Sequence, residues 1–228
     1  LFGISFTLTI LIIIAAFFDH LFRAGYPDTK RDRSLYVNKI ILQNEKDWNI
    51  TSPPSFYFLE HYVSKLKTPS TIAISTNFKR TNTYINNKKI PITYKYTNDA
   101  YWDVLEYDFI EGKPYSSQQV GNGEKVAVIS AEARDKYFGH DQQVIGKFME
   151  VDNQQHRVIG VVKDVATTLP HVYSEIYLPL ATATAKLKEG RSLTGNYNAI
   201  LLAGSKSEVE TMQEEYSQMV SRIPLPAK

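Results

Sequence analysis

Cysteine is absent from the 228 residues, which excludes a disulfide framework and a thiolate metal site. An excess of charge of one sign is also lacking. The net charge is +2 and no long like-charge block occurs, so nucleic acid is not among the expected partners. The five histidines, His20, His61, His140, His156 and His171, include no pair at i, i+3 or i+4, so a histidine metal site has no support. The phosphate-cradling G-x-x-x-x-G-K-S/T run does not occur, and Gly139 and Gly146 stand too far apart for a dinucleotide fingerprint. Neither an internal repeat nor a low-complexity segment is present.

Three groups of residues invite a chemical reading, and each has a plainer one. Ser130 follows a strand-like run and precedes a helical one, but Val128 and Glu132 stand where a nucleophile elbow needs glycine, so it reads as a helix cap. Glu106, Asp108 and Glu111 form a carboxylate cluster of the kind glycoside hydrolysis uses, yet acids this close before Gly112 describe a solvated loop. The 15 tyrosines and two tryptophans would suit a ligand groove, whereas tyrosine is also favoured on half-buried strands. Asn49-Ile50-Thr51 matches a glycosylation sequon, which matters only in a eukaryotic secreted protein. No catalytic, cofactor-binding or metal-ligating residue is assigned, and no cofactor is expected.

What the chain has instead is a hydrophobic run at its start. Leu1 to Phe18 carries no charge and ends at Asp19, just long enough for a membrane span. A secretory signal would need small residues where Phe17 and Phe18 stand, and a core helix would show a polar stripe. The run is therefore read as a transmembrane helix over residues 1–23, meeting lipid through residues 1–18. A first residue of Leu rather than Met points to a fragment or a processed chain. Arg23, Lys30, Arg31 and Arg33 follow the run, which alone favours a cytoplasmic body. Asp19, Asp28 and Asp32 are interleaved, and long domains translocate largely regardless of charge, so charge leaves the side open.

Beyond the run the pattern is mixed. Strands are predicted at 35–42, 71–78, 83–85, 90–94, 125–129, 147–151, 156–162, 174–178 and 197–203. Pro91 places its strand at a sheet edge. Helices are predicted from Ser52-Pro53 to Pro69, over 99–105 capped by Asn98 or Asp99, over 131–138 ending at Gly139, and over 206–222 with a capping box at Ser207-Glu208-Val209-Glu210. Residues 116–124 read as a flexible loop.

Four blocks carry a resemblance. They are Asn98 to Tyr115, with Trp102, Val104, Phe109 and Gly112; Val126-Ala127-Val128-Ile129-Ser130 followed by Ala133 to Gly139; Val144-Ile145-Gly146-Lys147; and His156 to Val165, with Val158, Gly160 and Asp164. Their order and spacing resemble those of MacB-like ABC transporter permeases, with Lys113 where that family usually has Arg. As scaffold residues, Phe138 and Ile145 are expected in the core, and Gly160 where another element comes close. The resemblance implies an α+β fold: an N-terminal transmembrane helix, then a two-lobed mixed α/β extracytoplasmic domain. A membrane-proximal, porter-like lobe would use residues 24–79 and 155–228, with a second lobe inserted at 80–154. It further implies a bacterial inner-membrane protein with its soluble domain in the periplasm. The domain would couple cytoplasmic ATP hydrolysis to export or mechanotransmission and would not be an enzyme itself. The implied partners are a cytoplasmic ABC ATPase, a second permease copy, and a periplasmic adaptor or outer-membrane protein. The alternative is a single-span sensor whose outer domain binds a small ligand.

Overall fold

The computed structural model describes residues 25–43, 49–85, 88–140, 142–183 and 190–224, with Ile10 as an isolated position. Apart from Ile10, the expected transmembrane helix at 1–23 lies outside these residues. Among the described residues no helix is long and apolar enough to cross a membrane.

In chain order the first strands are β1 (Ser34–Val37), β2 (Ile40–Gln43), β3 (Asn49–Ser52), β4 (Pro69–Thr76), β5 (Lys79–Ile85) and β6 (Lys88–Thr97). They are followed by β7 (Phe109–Gly112), β8 (Val126–Ser130), β9 (Phe148–Val151), β10 (Gln154–Val162), β11 (Ile176–Pro179) and β12 (Tyr197–Ala203). The helices are α1 (Phe56–His61), α2 (Tyr101–Val104), α3 (Ser117–Gly121), α4 (Ala131–Phe138) and α5 (Val209–Ser221). One mixed sheet runs β1-β12-β4-β6-β11-β8-β10-β7, with β5 added to β6 and β9 to β10, while β2 and β3 pair separately.

Alternation along the central strands sends side chains to two cores. Ala127, Ile129, Ile176, Leu178, Ala199 and Leu201 face one, which α1, α4 and α5 cover through Leu59, Ala133 and Met212. Val126, Val128, Tyr177, Ile200 and Leu202 face the other, under α2. Between β4 and β6 the ladder thins to one pairing, Ser75 with Thr97. Side chains replace the missing rungs: Thr76 Oγ1 accepts from Tyr96 N at 3.0 Å, and Asn98 accepts from Ile74 N and donates to Ile72 O, both at 2.9 Å.

Several expectations need correction. The strand at 35–42 is two strands: β1 pairs with β12, while β2 leaves the sheet to pair with β3. The helix after it starts at Phe56 with Ser55 as cap, because both prolines are held extended against the 194–197 segment. Gly195 N donates to Pro53 O at 2.9 Å and Tyr197 N to Pro54 O at 3.0 Å. Asn98 caps no helix, since its amide bridges to β4 instead. Residues within 116–124 form α3 with a Ser116–Gln119 capping box. The terminal capping box uses Ser205 and Glu208. β6 is an interior strand, but Pro91 falls before Tyr94, where pairing with β11 begins, so its missing N–H leaves no gap on that side. Ile145 is exposed rather than core, lying over Gly112.

The β8–α4 unit forms as read. Ser130 Oγ accepts from Ala133 N at 3.0 Å, Asp164 Oδ1 accepts from Glu132 N at 2.9 Å, and Gly139 ends the helix at φ +100°. Gly160 also sits as expected: a Cβ there would lie 2.7 Å from Lys113 O. β10 opens at Gln154 and pairs with β9, so the expected lobe boundary between 154 and 155 falls within that hairpin.

Candidate functional site

A dense set of polar contacts lies where the chain enters the sheet, at residues 25–36. Pro27 O accepts from Glu106 N at 2.8 Å, and Lys30 Nζ donates to Asp103 O at 2.8 Å and pairs with Glu106 at 3.2 Å. Thr29 also donates to Glu106. Tyr26 Oη donates to Lys163 O at 3.0 Å and accepts from Asp108 N at 3.3 Å, under the Lys163 ammonium. Burial, with Asp108 and Asp164 nearby, pushes the Tyr26 hydroxyl up to about 12, so it stays a donor.

Asp28 is the centre of this joint and is only 5% exposed. Its oxygens accept from Tyr36 Oη at 2.7 and 2.6 Å, and Arg31 Nε lies 3.5 Å away. His171 Nε2 is 3.7 Å from Asp28, with its ring edge-on to Tyr36. Burial raises the Tyr36 hydroxyl, and the carboxylate it donates to raises it further. One layer deeper, Lys95 Nζ donates to His171 O at 2.9 Å. Lys95 is fully buried, and burial lowers its ammonium to about 7. A chain of contacts therefore links the incoming segment, through Asp28 and His171, to β6 in mid-sheet.

The sequence candidates do not converge on chemistry. Glu106 pairs with Lys30 and Glu111 with Arg134 at 3.4 Å, while Asp108 is exposed. A bulge at Ile110 turns Glu111 towards α4 and leaves Phe109 with the aromatic core. Ser130 caps α4. Among the described histidines, His140 pairs with Asp135 at the surface, and His156 is buried with Nδ1 unpartnered and its pKa lowered to about 4, first by burial and then by Lys125. Among the described residues no group of His, Cys, Asp or Glu is placed to hold a metal.

Around α2 the tyrosines are buried rather than set along a groove. Tyr101, Tyr107 and Tyr177 all donate to Val172 O, at 3.0, 2.8 and 3.2 Å, and Trp102 packs among them with ring centroids 5.2–5.6 Å away. Tyr101 and Tyr107 lie in and just after α2 rather than on half-buried strands. This arrangement consumes polar groups internally and holds the 169–174 loop, including His171, against β11.

Asp28, Lys95 and Glu175 were missed by sequence reasoning. Glu175 is buried and accepts from Thr93 N at 2.6 Å, Thr93 Oγ1 at 2.8 Å and Lys136 Nζ at 2.7 Å. The one available signal was Lys95 itself, a cation between Tyr94 and Tyr96 in a β-rich run.

Of the basic residues that leaned towards a cytoplasmic body, Arg23 lies outside the described residues and the other three have structural partners. Lys30 and Arg31 pair with Glu106 and Asp28, and Arg33 donates to Gly204 O at 3.0 Å.

Comparison with known proteins gives a consistent result. The family model of the MacB-like periplasmic core domain matches residues 1–218. Macrolide export ATP-binding/permease protein MacB of Shigella dysenteriae is 25% identical over 162 residues, covering 68% of this chain and 24% of that protein. Its Escherichia coli counterpart is 24% identical with the same coverage, so this chain spans about a quarter of the length of the relatives it matches. The extracellular domain of the ABC-type transporter YknZ from Gram-positive bacteria superposes with TM-score 0.62 at 18% identity, covering 82% of this chain and 93% of that one. The periplasmic region of MacB from Actinobacillus actinomycetemcomitans gives TM-score 0.61 at 16% identity, with 83% and 85% covered.

Proposed function

We propose a mechanical role from one premise: the chain belongs to the MacB-like periplasmic core domain family. As such it is the periplasmic core of an ABC transporter permease. In this reading residues 1–23 form a transmembrane helix in the inner membrane and the body stands in the periplasm. A cytoplasmic ATPase and a second permease copy supply the cycle, and an adaptor or outer-membrane protein receives its motion. The body acts in two lobes, expected at 24–79 with 155–228 and at 80–154. The thin β4–β6 ladder supports a seam between those two strands, with β10 and β11 on the β6 side, so in this reading the second lobe takes in residues 154–179 as well.

The observation that carries this reading is the Asp28 joint. A segment arriving from a membrane helix transmits force only if it is fastened to the body, and a nearly buried carboxylate that accepts from Tyr36 of β1 and pairs with Arg31, with His171 packed 3.7 Å away, is such a fastening. The test is Asp28→Ala in the full-length permease with its ATPase. Basal ATP hydrolysis is expected to persist while export per ATP falls severalfold. Export unchanged in a variant that folds would remove the joint from the mechanism.

A further inference from the structure

Two grooves flank the last two turns of α5. One, of about 420 Å³, lies against the turn after α1, with Leu66 and Met219 in its floor and Lys65, Lys67 and Arg222 at its rim. The other, of about 290 Å³, lies against β2 and is lined by Ile40, Leu42, Phe58 and Tyr216, with Lys39 at its edge. Ile223 borders both. Beside the second groove stand Ile41, 56% exposed, and Val220, 42% exposed, while Ile50, 45% exposed, pairs with Leu42 across the hairpin. These are three of the seven large apolar side chains exposed among the described residues, and they stand on α5 and the β2–β3 hairpin, whose β2 strand lines the groove with α5.

Charge is segregated along the same helix. Glu210, Glu214 and Glu215 fall in its first half, whereas from Tyr216 to Ile223 the only charge is Arg222. Glu215, the one acid lining the first groove, accepts from Lys67 N at 2.8 Å and Thr68 N at 2.9 Å, so its carboxylate is held by backbone donors. Lys39, Lys65, Lys67 and Arg222 therefore surround an apolar face, with no salt bridge to any of them among the described residues.

We propose that this face docks on an anionic phospholipid surface. Ile41 and Val220 would enter the boundary between headgroups and acyl chains, and the four cations would meet lipid phosphates. A protein partner fits less well, because lysine is depleted from protein interfaces and three of the four cations are lysines. The inference rests on the reading that the body faces the outer leaflet of the inner membrane.

Single cysteines allow a direct test, because these 228 residues hold none and any cysteine elsewhere in the full-length permease is first replaced by serine. Ile41→Cys, Val220→Cys and, on edge strand β7 as a control, Ile110→Cys are made singly in the full-length permease and labelled with a polarity-sensitive fluorophore. The protein is placed in nanodiscs of phosphatidylcholine with or without phosphatidylglycerol, each containing nitroxide lipid. Labels at 41 and 220 are expected to shift to the blue and be quenched when phosphatidylglycerol is present, while the label at 110 is not. Lys65→Gln and Lys67→Gln are each expected to lower the quenched-to-unquenched ratio by about fivefold. Labels that shift equally in both lipids without quenching would mean that a protein segment or second copy covers the face, and labels that do not shift would mean it stays in water. Either result overturns the proposal. Sidedness is read separately, by labelling Ile110→Cys with an impermeant thiol reagent on spheroplasts. Failure there unseats the periplasmic reading itself.

Discussion

Lys95 lies beneath the carbonyl of His171, with no carboxylate as its partner. Its ordinary pKa is 10.5, and burial lowers it to about 7 in the folded chain. Between those values the unfolded chain binds a proton that the folded chain does not. Stability therefore rises with pH from about 7 towards 10.5, and the destabilisation is present in full below about 7. Lys95→Met removes that titration and leaves one carbonyl unpaired. The rise in unfolding free energy, at most ~1.4 kcal/mol per pH unit for one proton, is expected to flatten. Urea unfolding at two pH values inside that window measures it, and an unchanged slope would show that another group is responsible. Ser130→Ala makes a second test at this scale: loss of the α4 cap is expected to cost ~1 kcal/mol. Asp164 caps the neighbouring N–H and keeps the helix in place.

Elements formed as read where their signals were local. The β8–α4 unit has its cap, its helix and its glycine stop within one short stretch; the helix matches residue for residue and the strand lies one residue later than read. The start of α1 was misplaced because the prolines before it bond to residues more than 140 positions away. Glycines separate the two situations cleanly. Gly112 has φ +66° and a Cβ there would lie 2.0 Å from Ile159 O, so Gly112→Ala is expected to cost about 2 kcal/mol or more. Gly121 ends α3 and a Cβ would meet nothing within 4 Å, so Gly121→Ala is expected to be neutral or to stabilise by up to about 1 kcal/mol. Thermal unfolding of the two variants checks the pair, and similar shifts in both would contradict the close approach at Gly112.

At the scale of the whole molecule, the sheet is continuous but unevenly joined. β12 and β4 pair over seven registered positions, whereas β4 and β6 share one. Asn98 carries two of the bonds that bridge this seam. Asn98→Ala is expected to cost ~1–3 kcal/mol, because Ile74 N and Ile72 O lose their partner. Hydrogen exchange at Ile74 is expected to accelerate ahead of that in β8 or β12. Uniform acceleration across the sheet would mean the two sides do not separate there.

The sequence by itself determined most of the sheet strands, the capped β8–α4 unit, the terminal helix and the family blocks, while β3, β7 and α3 went unread. Each rests on neighbours in the chain or on spacing that packing preserves. Only the tertiary structure decided what the polar residues do. Asp28 meets His171 and Glu175 meets Thr93 across distances in sequence that no local pattern spans. The same holds for Pro53 and Pro54 and for Asn98, whose propensities suit a helix start or cap. Distant backbone donors and acceptors claimed those groups first, because a polar group taken out of water must find its partner wherever the fold brings one.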